Sequence, residues 1–122
     1  MKKHNFRELT IWKDSMSFVK KVYLISANLP TEERFGFVSQ INRSSVSIPT
    51  NIAEGSGRTT NKEFVRFLDI AISSSYELET QLILAEKFNY ISNKTLLNEV
   101  FLEIEVESKM LNSFIKKVDN IN

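Results

Sequence analysis

The sequence predicts an all-α protein, an antiparallel up-down bundle of four helices with a proline-kinked second helix. Three observations carry that expectation. Only three glycines and two prolines occur in 122 residues, whereas strand-rich or glycine-rich architectures need more turn residues. Apolar residues recur at three-four spacing in four long segments, the period of one helix face. Short stretches of breakers and caps separate those segments.

The first segment spans about Thr10 to Asn28. Trp12, Met16, Val19 and Tyr23 form its main stripe, widened by Ile11, Phe18, Val22 and Ile25. Pro30 disfavours helix at Leu29. Thr31 then caps a second segment, with Glu32 and Glu33 placed where the helix dipole favours negative charge. That segment, about Glu32 to Glu54, repeats Val38, Ile41, Ser45, Ile48 and Ile52, and the Gly-Ser-Gly run at 55–57 ends it. Thr60-Asn61-Lys62-Glu63 matches a capping box and opens the third segment. Its stripe is Phe64, Phe67, Ala71, Ser75, Leu78, Leu82 and Ala85, with Asn89 as the left-handed residue that closes it. Ser92 or Asn93 caps the fourth, striped by Leu97, Val100, Ile104, Ser108, Leu111, Ile115 and Val118. Helices of 20 to 28 residues span roughly 30–42 Å, and short loops between them imply antiparallel neighbours.

Residues 1–122 make one domain, with residues 1–8 expected as a flexible tail. The absence of cysteine excludes disulfides, thiolate metal sites and cysteine nucleophiles. The start has no apolar run of signal-peptide length, and no stretch approaches the roughly 20 apolar residues of a membrane span. A cytoplasmic protein without membrane attachment is expected. The formal charge of +1 conceals an asymmetry. Residues 1–66 carry eleven Lys and Arg against six Asp and Glu, and residues 67–122 carry five against nine.

The stretch Ser47 to Arg58, SIPTNIAEGSGR, puts Pro49 inside the second helix. An interior proline costs about 3 kcal/mol, and a kink rather than a break is expected because Ile48 and Ile52 keep the stripe in phase. Folding back near residue 58 sets Arg43 level with Ser73, and Asn51 level with Val65 and Arg66. Glu54 then comes near Lys62. A close contact between helices two and three follows, built from Arg43, Ser44, Ser45, Pro49, Asn51 and Glu54 against Ser74 and Glu77. In it Arg43 reaches Glu77, and Glu54 reaches Lys62 or Arg66. The alternative is that these are ordinary solvated helix positions.

Three stretches carry a resemblance across nearly the whole chain: FRELTIWKDS, LPTEERFGFVSQINRSSVSIPTNIAEGSGR and KEFVRFLDIAISSSYELETQL. With them the sequence resembles the four-helix-bundle proteins encoded in intervening sequences of bacterial 23S rRNA genes. These proteins are related to the accessory variability proteins of diversity-generating retroelements. The resemblance implies an up-down bundle that assembles as a homopentameric ring, without enzymatic activity. It also implies RNA or a reverse-transcriptase-like protein as partner. The near-neutral charge departs from the basic retroelement relatives and weighs against direct RNA binding. Asn89 stands where relatives usually place glycine.

Catalytic machinery is absent from the pattern. His4 is the sole histidine and falls in the expected tail, and no Glu-x-x-His pair suggests a di-iron carboxylate site. No cofactor or metal is expected. Glu99, Glu103, Glu105 and Glu107 read as the solvated face of the fourth helix. For nucleic acid the candidates are the Arg58, Lys62 and Arg66 corner with Lys13 and Lys20, repeated around the rim of a ring so that weak charges add. The alternative is that these cations only solubilise the bundle, leaving a protein-interaction scaffold without nucleic-acid affinity. Phe6, Phe35, Phe37, Phe88 and Phe101 fall off the main stripes, and such leftover apolar surface marks contacts between subunits.

Overall fold

The computed structural model describes residues 4–120. Four helices carry the chain: α1 (Thr10–Ser26), α2 (Ser39–Ser56), α3 (Asn61–Lys87) and α4 (Lys94–Asp119), with no strand among the described residues. Each helix packs on two others, α1 on α2 and α4, and α3 on α2 and α4, with the α2–α3 contact the most extensive. At one end, the His4 N–H bonds the Ser56 carbonyl where α2 finishes, and the Phe64 ring near the start of α3 meets Phe114 near the end of α4. At the other end, Ser26 donates to Asn42, and Lys94 pairs with Glu86. Neighbouring helices run in opposite directions. Phe18, Ile41, Ile48, Leu78, Leu82 and Leu97 lie fully buried at the centre.

The helix ends follow local chemistry. Thr60 accepts the Glu63 N–H at 3.1 Å, and Asn93 accepts the Leu96 N–H at 3.0 Å, satisfying donors that the first turn leaves open. Asn89 takes the left-handed conformation (φ 62°). Its N–H bonds the Glu86 carbonyl and the Tyr90 N–H bonds the Ala85 carbonyl, the pattern of a Schellman terminus.

Three expectations are corrected. The second helix begins at Ser39, not near Glu32, because Thr31–Glu33 forms a 3₁₀ turn and non-helical backbone at Gly36 interrupts the segment that follows. Thr31 makes no capping bond; the Glu33 carboxylate instead accepts the Phe37 N–H and the Tyr90 hydroxyl. The helix ends at Ser56 with Gly57 as its C-cap, inside the Gly-Ser-Gly run as expected, and Gly55 within that run is a packing position. A Cβ there would lie 2.7 Å from Phe67 Cβ and 2.9 Å from Phe64 Cδ1. The tail expected through residue 8 gives way at His4, whose ring sits 5.0 Å from Phe64 and 5.8 Å from Phe114, and Phe6–Glu8 forms a 3₁₀ turn. Lys2 and Lys3 lie outside the described residues.

The fourth correction concerns α1. Ile11, Ser15, Phe18, Val22 and Ile25 are buried, while Met16 and Tyr23 of the expected stripe remain 44% and 45% exposed. Both stripes have helical spacing, about one residue's rotation apart. The bundle buries the one that continues through Leu29; of the other, Trp12 and Val19 are half-buried against the core while Met16 and Tyr23 face outward.

Candidate functional site

Pro49 and Ile52 hold the middle of α2 in the core, and α2 continues through the proline to Ser56. Its polar residues then face α3. Ser44 Oγ donates to Gln81 Oε1 at 2.7 Å, and Ser47 and Ser74 share a hydrogen bond of 2.8 Å. Asn51 points its amide back along its own helix to the Ser47 carbonyl and hydroxyl. Ser45 is fully buried and bonds the Asn42 carbonyl. On the far side of α3, Ser75 meets Ser108 of α4 at 3.2 Å.

The register differs from the expected one. Ser44 bonds Gln81 rather than meeting residue 72, and Ser47 bonds Ser74, so α3 is displaced along α2 by more than a turn from the expected pairing. That shift separates the expected ion pairs. Among the described residues the ion pairs are Lys21–Glu103, Lys94–Glu86 and Lys109–Glu105, so Arg43 does not reach Glu77, nor Glu54 Lys62 or Arg66. Glu77 accepts a long 3.5 Å bond from Gln81, while Arg43 is exposed and makes no bond.

The basic corner is assembled in part. The Arg58 guanidinium lies 4.6 Å from the centre of the Phe67 ring and that of Arg66 lies 5.7 Å from it, within cation–π reach. Arg58 is half-buried, and its Nε has no partner. Lys62, one turn before Arg66, is exposed. Two planar cations around one aromatic ring can meet phosphate oxygens while a base stacks beside them. Lys13 and Lys20 stand exposed on α1 and make no bond. Lys20 lies two turns along α1 from Lys13, toward the opposite end of the bundle, so these five cations do not form one cluster.

Sequence reasoning also placed Glu107 wrongly. Its side chain is 1% exposed, and neither carboxylate oxygen has a hydrogen-bond partner. Burial, with the Asp14 carboxylate as a second cause, pushes its pKa up to about 8. It is a core carboxyl that keeps its proton at neutral pH. A signal was present: Glu107 stands three residues after Ile104 and four before Leu111, on the stripe itself. Glu103, one turn earlier, pairs with Lys21 at 2.7 Å, and this hydrogen bond holds the Lys21 pKa above its ordinary value. Glu99 and Glu105 are exposed as expected. Among the described residues no group of three or more His, Asp and Glu is placed to hold a metal ion, and no helix is long and apolar enough to cross a membrane.

Comparison with known families decides the assignment. The family model described as 23S rRNA-intervening sequence protein matches residues 7–113. The chain belongs to that family. A solved relative agrees: the crystal structure of a protein of unknown function from the S23 ribosomal protein family of Bacteroides thetaiotaomicron is 27% identical. The match covers 87% of this chain and 95% of that one, with a TM-score of 0.78. None of the curated proteins matches. The matched residues of this intervening-sequence protein include the Arg58–Phe67–Arg66 corner, the serine seam and Glu107.

Proposed function

We propose that this intervening-sequence protein is a non-enzymatic assembly module that forms a ring of identical copies, five as the resemblance implies. The observation that supports it is the apolar surface left outside the buried core. Met16, Tyr23 and Val46 are exposed on α1 and α2, and Tyr76, Ile83 and Leu102 on α3 and α4. Large outward apolar faces on a small soluble domain are contact surfaces. Sedimentation velocity at micromolar protein tests this. The assembly sediments well ahead of a 14.1 kDa monomer and persists in molar salt, because apolar burial is not screened as ion pairs are. A single monomer boundary overturns it.

A second reading rests on the Arg58–Phe67–Arg66 corner. Repeated around a ring, it supplies stacked cations to structured or single-stranded RNA. Retention of RNA then falls steeply with salt, with a log–log slope of about 0.7–0.9 per phosphate neutralised. Retention that is absent at 50 mM salt leaves the scaffold reading alone.

A further inference from the structure

α1 and α2 pack directly, as do α3 and α4, and the two pairs form opposite edges of the bundle because α1 also meets α4 and α2 meets α3. Both edges carry a groove. The α1–α2 groove, about 440 Å³, runs past Tyr23, Val46, Thr50 and Asn51, with Arg43 on its wall. The α3–α4 groove, about 430 Å³, runs past Tyr76, Ile83, Phe101 and Leu102, with Glu79 on its wall. Each presents large exposed apolar side chains, Tyr76 at 58% and Leu102 at 65% among them.

The charges differ in sign. Arg43 is exposed and makes no hydrogen bond or ion pair. Glu79 is half-buried and also makes none, and Glu105 on the same groove has only Lys109 of its own helix. An unpaired guanidinium on one edge and an unpaired carboxylate on the other complement each other only across two copies. Like edges brought together give Arg43 no acid among the residues lining its groove, and give Glu79 only Lys109, which already pairs with Glu105.

We infer that the α1–α2 edge of one copy docks on the α3–α4 edge of the next, with Arg43 reaching the Glu79 groove. The inference rests on the assembly reading above and specifies its geometry. Because the two docking surfaces are different, the contact is heterologous: it propagates head to tail and closes into a ring when the rotation per step permits. Apolar side chains supply the contact area, and the Arg43–Glu79 pair sets orientation and excludes the like-edge pairings.

The test blocks one edge at a time. Variant one carries Val46→Arg with Arg43→Glu; variant two carries Leu102→Arg with Glu79→Arg. All four positions lie outside the fully buried core, and circular dichroism checks that helicity is retained. Light scattering on wild type and on each variant comes first, followed by a 1:1 mixture of the variants. The expected result is an oligomeric wild type, two monomeric variants, and a heterodimer of twice 14.1 kDa in the mixture, since each variant keeps one intact edge. The reversed pair, Arg43→Glu with Glu79→Arg in one chain, restores at least tenfold of the association that either single change loses. An oligomeric wild type with one variant still dimeric indicates a like-edge contact and overturns the inference. So do oligomeric variants on both sides, and either result leaves assembly itself standing. A monomeric wild type overturns the assembly reading and this inference together.

Discussion

Replacing Glu107 by glutamine removes the titrating proton from the core while keeping the side chain's shape. In the folded chain the carboxyl is pushed up to about 8 from an ordinary 4.5, by burial first and by Asp14 second. In the unfolded chain it ionises near its ordinary value. Below pH 4.5 both states carry the proton and its titration contributes nothing. Between 4.5 and about 8 the unfolded chain has released its proton and the folded chain has not. Unfolding stability therefore falls with rising pH by about 1.4 kcal/mol per unit, roughly 3 kcal/mol by pH 7. For a domain of this size that is a Tm difference of roughly 10 °C. Thermal melts of both proteins at fixed concentration, from pH 5 to pH 8, read it directly; fixing the concentration removes mass-action shifts from assembly. The wild-type Tm should fall progressively relative to Glu107→Gln, the two converging near pH 4.5. Lys21 does not interfere, because its pKa is raised from 10.5 and lies above this window. Parallel curves across pH 5–8 would refute the assignment of Glu107 as a buried, protonated carboxyl.

Gly55→Ala should cost about 1–3 kcal/mol by overpacking, despite alanine's better helix propensity, since its methyl meets Phe67 Cβ rather than a flexible side-chain end. Gly57→Ala, whose nearest atom is 3.7 Å away, should stay within about 0.5 kcal/mol; urea melts of both variants separate the two roles. Asn89→Gly should raise stability by about 0.5–1 kcal/mol by relieving the left-handed backbone, and an unchanged or lowered urea midpoint contradicts that role. Ser74→Leu forces a larger side chain into the position bonded to Ser47 and should lower the Tm by several degrees, so an unchanged Tm shows that the α2–α3 seam is not tight.

Much of the fold was legible because helical periodicity and capping chemistry are local. Thr60, Asn93 and Asn89 act where their neighbours in the chain alone place them, and the stripes of α2 and α3 face inward as read except at Phe67, which sits beneath Arg58 and Arg66. Expectations failed where a local pattern had two solutions. Helix α1 carries two adjacent apolar stripes, and only packing against α2 and α4 selects Phe18 and Val22 over Met16 and Tyr23. Glu107 shares a turn with Ser108, and composition made the serine the natural core residue; the bundle buries the acid instead. The α2–α3 register depended on whether Gly55 ends a helix or lets one approach, a question settled by Phe64 and Phe67 across the interface. The serine contact survived that shift because serines recur along both helices, whereas Arg43–Glu77 needed one particular register. The Arg58 and Arg66 corner was legible as charge, but Phe67 as the ring between them was not.

The central claim is that this bundle is built to associate with copies of itself. Light scattering coupled to size exclusion at micromolar protein measures it most directly. A molar mass several times 14.1 kDa, five times for the pentamer, is the predicted result. A mass of 14.1 kDa across the whole concentration range would contradict it.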